Sequence, residues 1–126
     1  MSELISIFEI PCCSTDLTYE VSTTYEKSDW ILRFAFDREG KGFRSGIRFN
    51  SVMAYKYLNA FHCTAWHIDA YDTVVEVSDS DWVRSAYAAM DENQRKNLQK
   101  LRHFMIFFDD GGAYEALAQS VDLLTE

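Results

Sequence analysis

The stretch Trp30-Ile31-Leu32-Arg33-Phe34-Ala35-Phe36, then Asp37-Arg38-Glu39-Gly40-Lys41-Gly42, then Phe43-Arg44-Ser45-Gly46-Ile47-Arg48-Phe49 decides the fold class. Successive side chains of a strand point to opposite faces, so Trp30, Leu32, Phe34 and Phe36 line one side of an extended segment. The charged, glycine-containing hexapeptide reads as a turn, and Phe43 to Phe49 as the strand that returns from it. Gly46 inside that returning strand is expected to mark a bulge.

Working toward the N-terminus, Tyr19, Val21, Thr23 and Tyr25 alternate with polar neighbours within Leu17 to Tyr25, the pattern of a half-buried strand. Leu4 to Ile10 is a further apolar run that Pro11 ends. Toward the C-terminus, Val52 to Phe61 fits strand alternation through Met53, Tyr55 and Tyr57, and helical spacing through Val52, Tyr55, Leu58 and Phe61. A strand continuing the sheet is the preferred reading. Thr73 to Val77 is β-branched and short, another strand. Ser78-Asp79-Ser80-Asp81 offers a helix cap and acids for the first turn, and Trp82, Val83, Ala86, Tyr87 and Met90 form one apolar stripe behind it. Asp91 to Arg102 is polar and reads as a loop or short exposed helix. His103 to Phe108 is an apolar strand, and Asp109-Asp110-Gly111-Gly112 is a tight turn. Ala113 to Leu124 then pairs back as a strand, with a helix through Tyr114, Leu117, Val121 and Leu124 as the alternative. Roughly six to eight strands with one or two helices, and no βαβ alternation, predict an α+β fold. It is mainly an antiparallel β-sheet or sandwich with one or two packed helices, in a single domain over 1-126.

The chain has 126 residues, 48% of them hydrophobic, which is enough to bury a core without staples. Twelve Lys and Arg stand against twenty Asp and Glu, giving a formal charge of −8. Nucleic-acid backbones and anionic membranes both attract cations, so neither is an expected partner, whereas a basic protein is. No apolar run approaches the roughly 20 residues that span a bilayer. Met1-Ser2-Glu3-Leu4 lacks the basic start of a signal peptide, and Cys12, Cys13 and Cys63 are an odd number. The cytoplasm is therefore the expected compartment.

His62-Cys63-Thr64-Ala65-Trp66-His67-Ile68-Asp69, followed by Asp72, is the most reactive-looking segment. His62, Cys63 and His67 are zinc-ligand types but match no standard spacing, so no metal and no cofactor are expected. The same three cysteines could supply a thiolate and His62, His67 or His103 a base, yet no nucleophile elbow or phosphate loop accompanies them. No catalytic residue is assigned. Charge distribution is more informative. From Ile68 to Val83 the only charges are Asp69, Asp72, Glu76, Asp79 and Asp81, bordered by Tyr71 and Trp82. Aromatic anchors ringed by acids suit docking onto a basic surface, so these seven residues form the candidate binding site. A solvated helix cap explains the same charges without any partner. From Arg33 to Arg48 the balance is reversed, with Arg33, Arg38, Lys41, Arg44 and Arg48 against Asp37 and Glu39.

Phe43 to Phe49, His62 to Ile68, Glu76-Val77-Ser78-Asp79-Ser80-Asp81-Trp82-Val83, and His103-Phe104-Met105-Ile106 with Tyr114-Glu115 together resemble a group of small uncharacterised bacterial proteins. The resemblance runs from about Trp30 onward and implies a bacterial source without an assigned activity. In size, acidity and single-domain form the chain is also similar to immunity proteins of bacterial toxin systems. That similarity implies a non-enzymatic protein-binding module, an immunity or antitoxin-like protein capping a basic toxin. The alternative is a small enzyme or ligand-binding domain that uses the His62–Asp72 segment.

Overall fold

A computed structural model describes residues 3–97 and 100–125. The deciding hairpin consists of β3 (Asp29–Arg38) and β4 (Lys41–Asn50), in register from Trp30↔Phe49 to Arg38↔Lys41. Glu39 and Gly40 form its two-residue loop, with φ of 52° and 80°. Positive φ at both positions gives a turn whose twist matches that of the strands it joins. A second two-residue loop, Lys27–Ser28, joins β2 (Ser22–Glu26) to β3 with φ of 49° and 78°. It has no glycine to announce it. β9 (Ser120–Thr125) pairs with the far side of β4 and completes a four-stranded antiparallel sheet, β2-β3-β4-β9. Register is unbroken through Gly46, which lies opposite Arg33 on one side and Leu124 on the other, so the expected bulge is absent there. A Cβ at Gly46 would sit 2.6 Å from the Leu32 carbonyl oxygen, so the glycine serves close approach of backbones instead.

The second sheet has the order β1-β6-β7-β8-β5, and all its strand pairs are antiparallel. Its strands are β1 (Leu4–Glu9), β5 (Ala54–Leu58), β6 (Thr73–Val77), β7 (Arg102–Phe108) and β8 (Gly112–Ala118). The register slip lies in β1, between Ser6 and Phe8, on an edge strand where a bulge discourages further pairing. Asp109 to Gly111 turn β7 into β8, with Asp110 and Gly112 at φ of 55° and 93°. The expected single strand from Ala113 to Leu124 is two. After Ala118 the chain leaves the five-stranded sheet, and after Gln119, whose N–H donates to the Asn50 carbonyl, it enters the other as β9.

The two sheets stack face to face. Trp30, Leu32, Phe34, Phe36, Ile47 and Phe49 from one meet Val74, Phe104, Ile106, Phe108, Tyr114 and Ala116 from the other. The outer face of the five-stranded sheet is covered as well. α1 (Ala65–Ile68) brings Trp66 onto Val75, Met105 and Phe107, and α2 (Asp81–Ala88) brings Trp82, Val83 and Ala86 onto Leu101 and Leu117. Strands β7 and β8 are thus buried on both faces, which is why His103 to Phe108 reads as a continuous apolar run rather than an alternating one. The polar stretch after α2 contains α3 (Glu92–Asn97), whose described side chains are exposed. Nine strands and three α-helices are present among the described residues, an α+β architecture of two β layers and one helical layer. None of these helices is long and apolar enough to cross a membrane.

Candidate functional site

Two places on this scaffold concentrate chemistry. The first lies between the five-stranded sheet and its helices. β7 and β8 alternate, so His103 and Glu115 both point toward the helical layer, where each is almost fully buried (5% and 4% exposed). His103 Nε2 lies 2.7 Å from Glu115 Oε1, and His103 Nδ1 lies 2.7 Å from the Ser80 hydroxyl. Ser80 is the N-cap of α2 and also accepts from the Val83 N–H at 3.2 Å. The other Glu115 oxygen has Lys56 Nζ at 3.9 Å and His67 Nε2 at 3.8 Å. Trp82 stands edge-on to His103 with ring centroids 5.1 Å apart, and the Lys56 ammonium lies 4.3 Å over the Trp82 ring.

Serine, histidine and glutamate in hydrogen-bonded sequence have the composition of a nucleophilic triad. Here the serine oxygen is committed to a helix cap and only 6% exposed, behind Trp82. A nucleophile must come within bonding distance of a substrate carbon, and this one is almost fully buried. What the arrangement does is satisfy buried polar groups and tie α2, through its cap, to the centre of the sheet.

Of the residues in the His62–Asp72 segment, Trp66 reaches this cluster, its ring edge-on to that of His103 with centroids 6.4 Å apart, and so does His67. Its Nδ1 accepts from the Thr64 N–H at 3.0 Å, closing a capping box on α1. His62 is exposed, in a 3-10 turn over Ala60–His62. The Cys63 thiol lies 3.6 Å from the Leu58 and Asn59 carbonyl oxygens, and burial pushes its pKa up, away from thiolate character. Among the described residues no three His, Cys, Asp or Glu side chains are placed to hold a metal ion.

The predicted acidic site is distributed over both ends of β6. Asp69 caps the C-terminus of α1 in solvent, and Tyr71 rests its ring 6.2 Å from that of Phe107. Asp72 accepts from the Ser14 N–H at 3.0 Å, while its Oδ1 is buried without a partner. Glu76 shares the sandwich-facing side of β6 with Val74 and binds Arg102 at 2.7 Å. Asp79 and Asp81, at the far end, both hold Arg84. Trp82 is half-buried against His103 and Lys56. Four residue steps of β6 separate the two groups by about 13 Å. The seven residues do not converge on one face.

The second place is the open edge of the sandwich, where β2 and β5 each end their sheet and lie across from one another. Tyr25 and Tyr55 bridge the gap with ring centroids 6.2 Å apart, and Tyr55 stacks on the buried Trp30 at 4.4 Å. Beside them a cavity of about 430 Å³ is walled by Val21, Thr23, Trp30, Tyr55, Tyr57 and Tyr114, with Lys56 its one charged group. It shares Val21, Tyr57 and Tyr114 with a larger one of about 760 Å³, which adds Tyr19, Glu20, Asp109 and Asp110. Tyr57 is fixed across the β7–β8 turn by donating its hydroxyl to the Gly111 carbonyl at 2.6 Å. Gly112 makes that position available, since a Cβ there would lie 2.9 Å from the Tyr57 ring and 2.4 Å from the Leu58 carbonyl oxygen. Burial, with Tyr57 and Glu20 adding to it, pushes the Tyr114 hydroxyl up to about 12. Burial, then Cys63 and Glu20, raises Tyr57 as well.

Sequence reasoning passes over this surface. Its signal is the tyrosine content of two alternating strands, which predicts a buried face; only the strand order reveals that the face lies at the margin of both sheets. No family model matches the chain, and no curated protein or solved structure does either.

Proposed function

We propose that the protein is a non-enzymatic protein-binding module, an immunity or antitoxin-like protein of the cytoplasm, that engages a basic partner at the open edge of its sandwich. The observation that carries this reading is the juxtaposition of two free strand edges with solvent-exposed aromatics between them. Tyr25, Tyr55 and Tyr57 are 55%, 48% and 49% exposed, and no described strand covers the outer side of β2 or β5. Tyrosine supplies large contact area with few rotatable bonds, and is enriched where interfaces concentrate their energy. Unpaired strand edges add main-chain donors and acceptors for an incoming segment. The net charge of −8 favours a basic partner through steering. The free state of Cys12, Cys13 and Cys63 accords with a reducing compartment. A small enzyme using the His62–Asp72 segment is the rival reading. His67's approach to Glu115 favours it, and the burial of Ser80, His103 and Glu115 opposes it.

Affinity capture from host lysate with the wild-type protein and with a Tyr25→Ala/Tyr55→Ala variant tests this, thermal melts verifying that both are folded. A basic protein retained by the wild type and released by the variant is expected. No captured protein, or one held equally by the variant, refutes the reading.

A further inference from the structure

The larger cavity at the open edge has a chemistry of its own. Its lining includes Tyr19, Tyr57 and Tyr114 together with Leu17, Val21 and Asn59, its charged groups are Glu20, Asp109 and Asp110, and no Lys, Arg or His lines it. Several carboxylates elsewhere have cations beside them, as in Glu26–Arg33, Asp29–Arg48, Glu76–Arg102 and Glu115–Lys56. Glu20, Asp109 and Asp110 form no ion pair with any described cation. Concave, tyrosine-walled and negative, the cavity complements a flat cation. A cation over a tyrosine face is attracted by the ring quadrupole, and carboxylates at the rim add charge-assisted hydrogen bonds. Guanidinium suits both better than ammonium, because it stacks on aromatic faces and forks onto carboxylates. Two of the three tyrosines are held in place. Tyr57 and Tyr114 pack with ring centroids 4.8 Å apart, and the Tyr57 hydroxyl is anchored on Gly111.

We infer that this cavity is an arginine-side-chain pocket, receiving a guanidinium from a basic protein partner that docks along β5. The inference rests on the protein-binding reading above and names the chemistry of its anchor point. The adjoining smaller cavity, shared through Val21, Tyr57 and Tyr114, continues the groove along which the rest of the partner's segment lies.

The test uses the full chain and two probes, N-acetyl-arginine amide and N-acetyl-citrulline amide, titrated while backbone amide shifts are followed by NMR. Citrulline has nearly the shape of arginine without its charge. Saturable shifts centred on Glu20, Tyr57 and Gly111 are expected with the arginine probe and not with citrulline. The variant Glu20→Gln/Asp109→Asn/Asp110→Asn, which keeps each side chain's size, should weaken binding by about tenfold, and Tyr19→Ala by about threefold to tenfold. Tyr19 is 73% exposed, so its removal leaves the fold intact. Equal shifts from citrulline, unchanged affinity in the triple variant, or shifts centred on Asp79 and Asp81 overturn the inference. Repeating the partner capture with the triple variant separates the two levels. A partner retained by it but released by Tyr25→Ala/Tyr55→Ala overturns the arginine pocket and leaves the docking edge standing.

Discussion

Replacing Glu115 with leucine removes the acceptor 2.7 Å from His103 Nε2 and the countercharge of Lys56. Both Glu115 and His103 are buried, so the imidazole left behind has no water to turn to. Breaking a buried pair by deleting one partner costs about 3–5 kcal/mol. With an unfolding entropy of about 2.1 cal/mol/K per residue, 126 residues give about 0.26 kcal/mol/K, so the midpoint should fall by about 11–19 °C. His103→Leu should cost a similar amount, since it removes the nearest partner of the Glu115 carboxylate and leaves the Ser80 hydroxyl with only its helix-cap bond. The double variant removes both groups together and replaces them with apolar bulk. It should therefore be more stable than the sum of the single losses by at least about 1.5 kcal/mol. Urea unfolding of the four proteins, monitored by circular dichroism, measures the cycle. Single losses under about 1 kcal/mol, or strict additivity, would refute the assignment of this cluster to structure.

Gly112→Ala should destabilise the fold strongly, because φ of 93° and a Cβ 2.4 Å from the Leu58 carbonyl oxygen both exclude it; a melt together with loss of the Tyr57 amide shift signature checks this. Phe104→Ala, at the centre of the sandwich core, should cost about 3–5 kcal/mol in urea unfolding, whereas Asp79→Asn/Asp81→Asn, whose Arg84 partner is in solvent, should leave the unfolding midpoint unmoved. Stability should also fall on the alkaline side. Burial raises the Cys12 thiol to about 11 and the Tyr114 hydroxyl to about 12, from ordinary values of 9.0 and 10.0. The unfolded chain releases these protons first, so the stability they contribute is whole below pH 9 and is lost as pH climbs toward 12. Urea midpoints between pH 8 and 11 should decline, and Tyr114→Phe should flatten the decline above pH 10.

Local chemistry made much of the fold legible. The Glu39–Gly40 and Asp109–Gly112 turns sit between apolar runs and each carries a glycine at positive φ, Gly40 and Gly112, so both hairpins follow from sequence. The helix cap at Ser80 is as plain. Lys27–Ser28 adopts the same turn geometry with no residue that favours it, so pairing of its flanking strands, a non-local effect, imposes the conformation. The passage of the chain from β8 to β9 at Gln119 is hidden for a related reason: no glycine or proline interrupts Ala113 to Leu124, and only the partner strands differ. Charge along the chain was a poor guide to charge in space. The acids from Asp69 to Asp81 are neighbours in sequence but divide between the two ends of β6, and four of them are engaged by Ser14, Arg102 or Arg84. Conversely, Tyr19, Tyr57 and Tyr114 meet in one cavity although most of the chain lies between the first and last.

The proposed docking surface is the open edge formed by β2 and β5. Hydrogen–deuterium exchange of the protein with its captured partner bound measures this most directly. Slowed exchange over Ser22–Glu26 and Ala54–Leu58, with the β7–β8 turn protected beside them, is the predicted result. Protection confined to Asp81–Ala88, or an unchanged exchange pattern along β2 and β5, would contradict it.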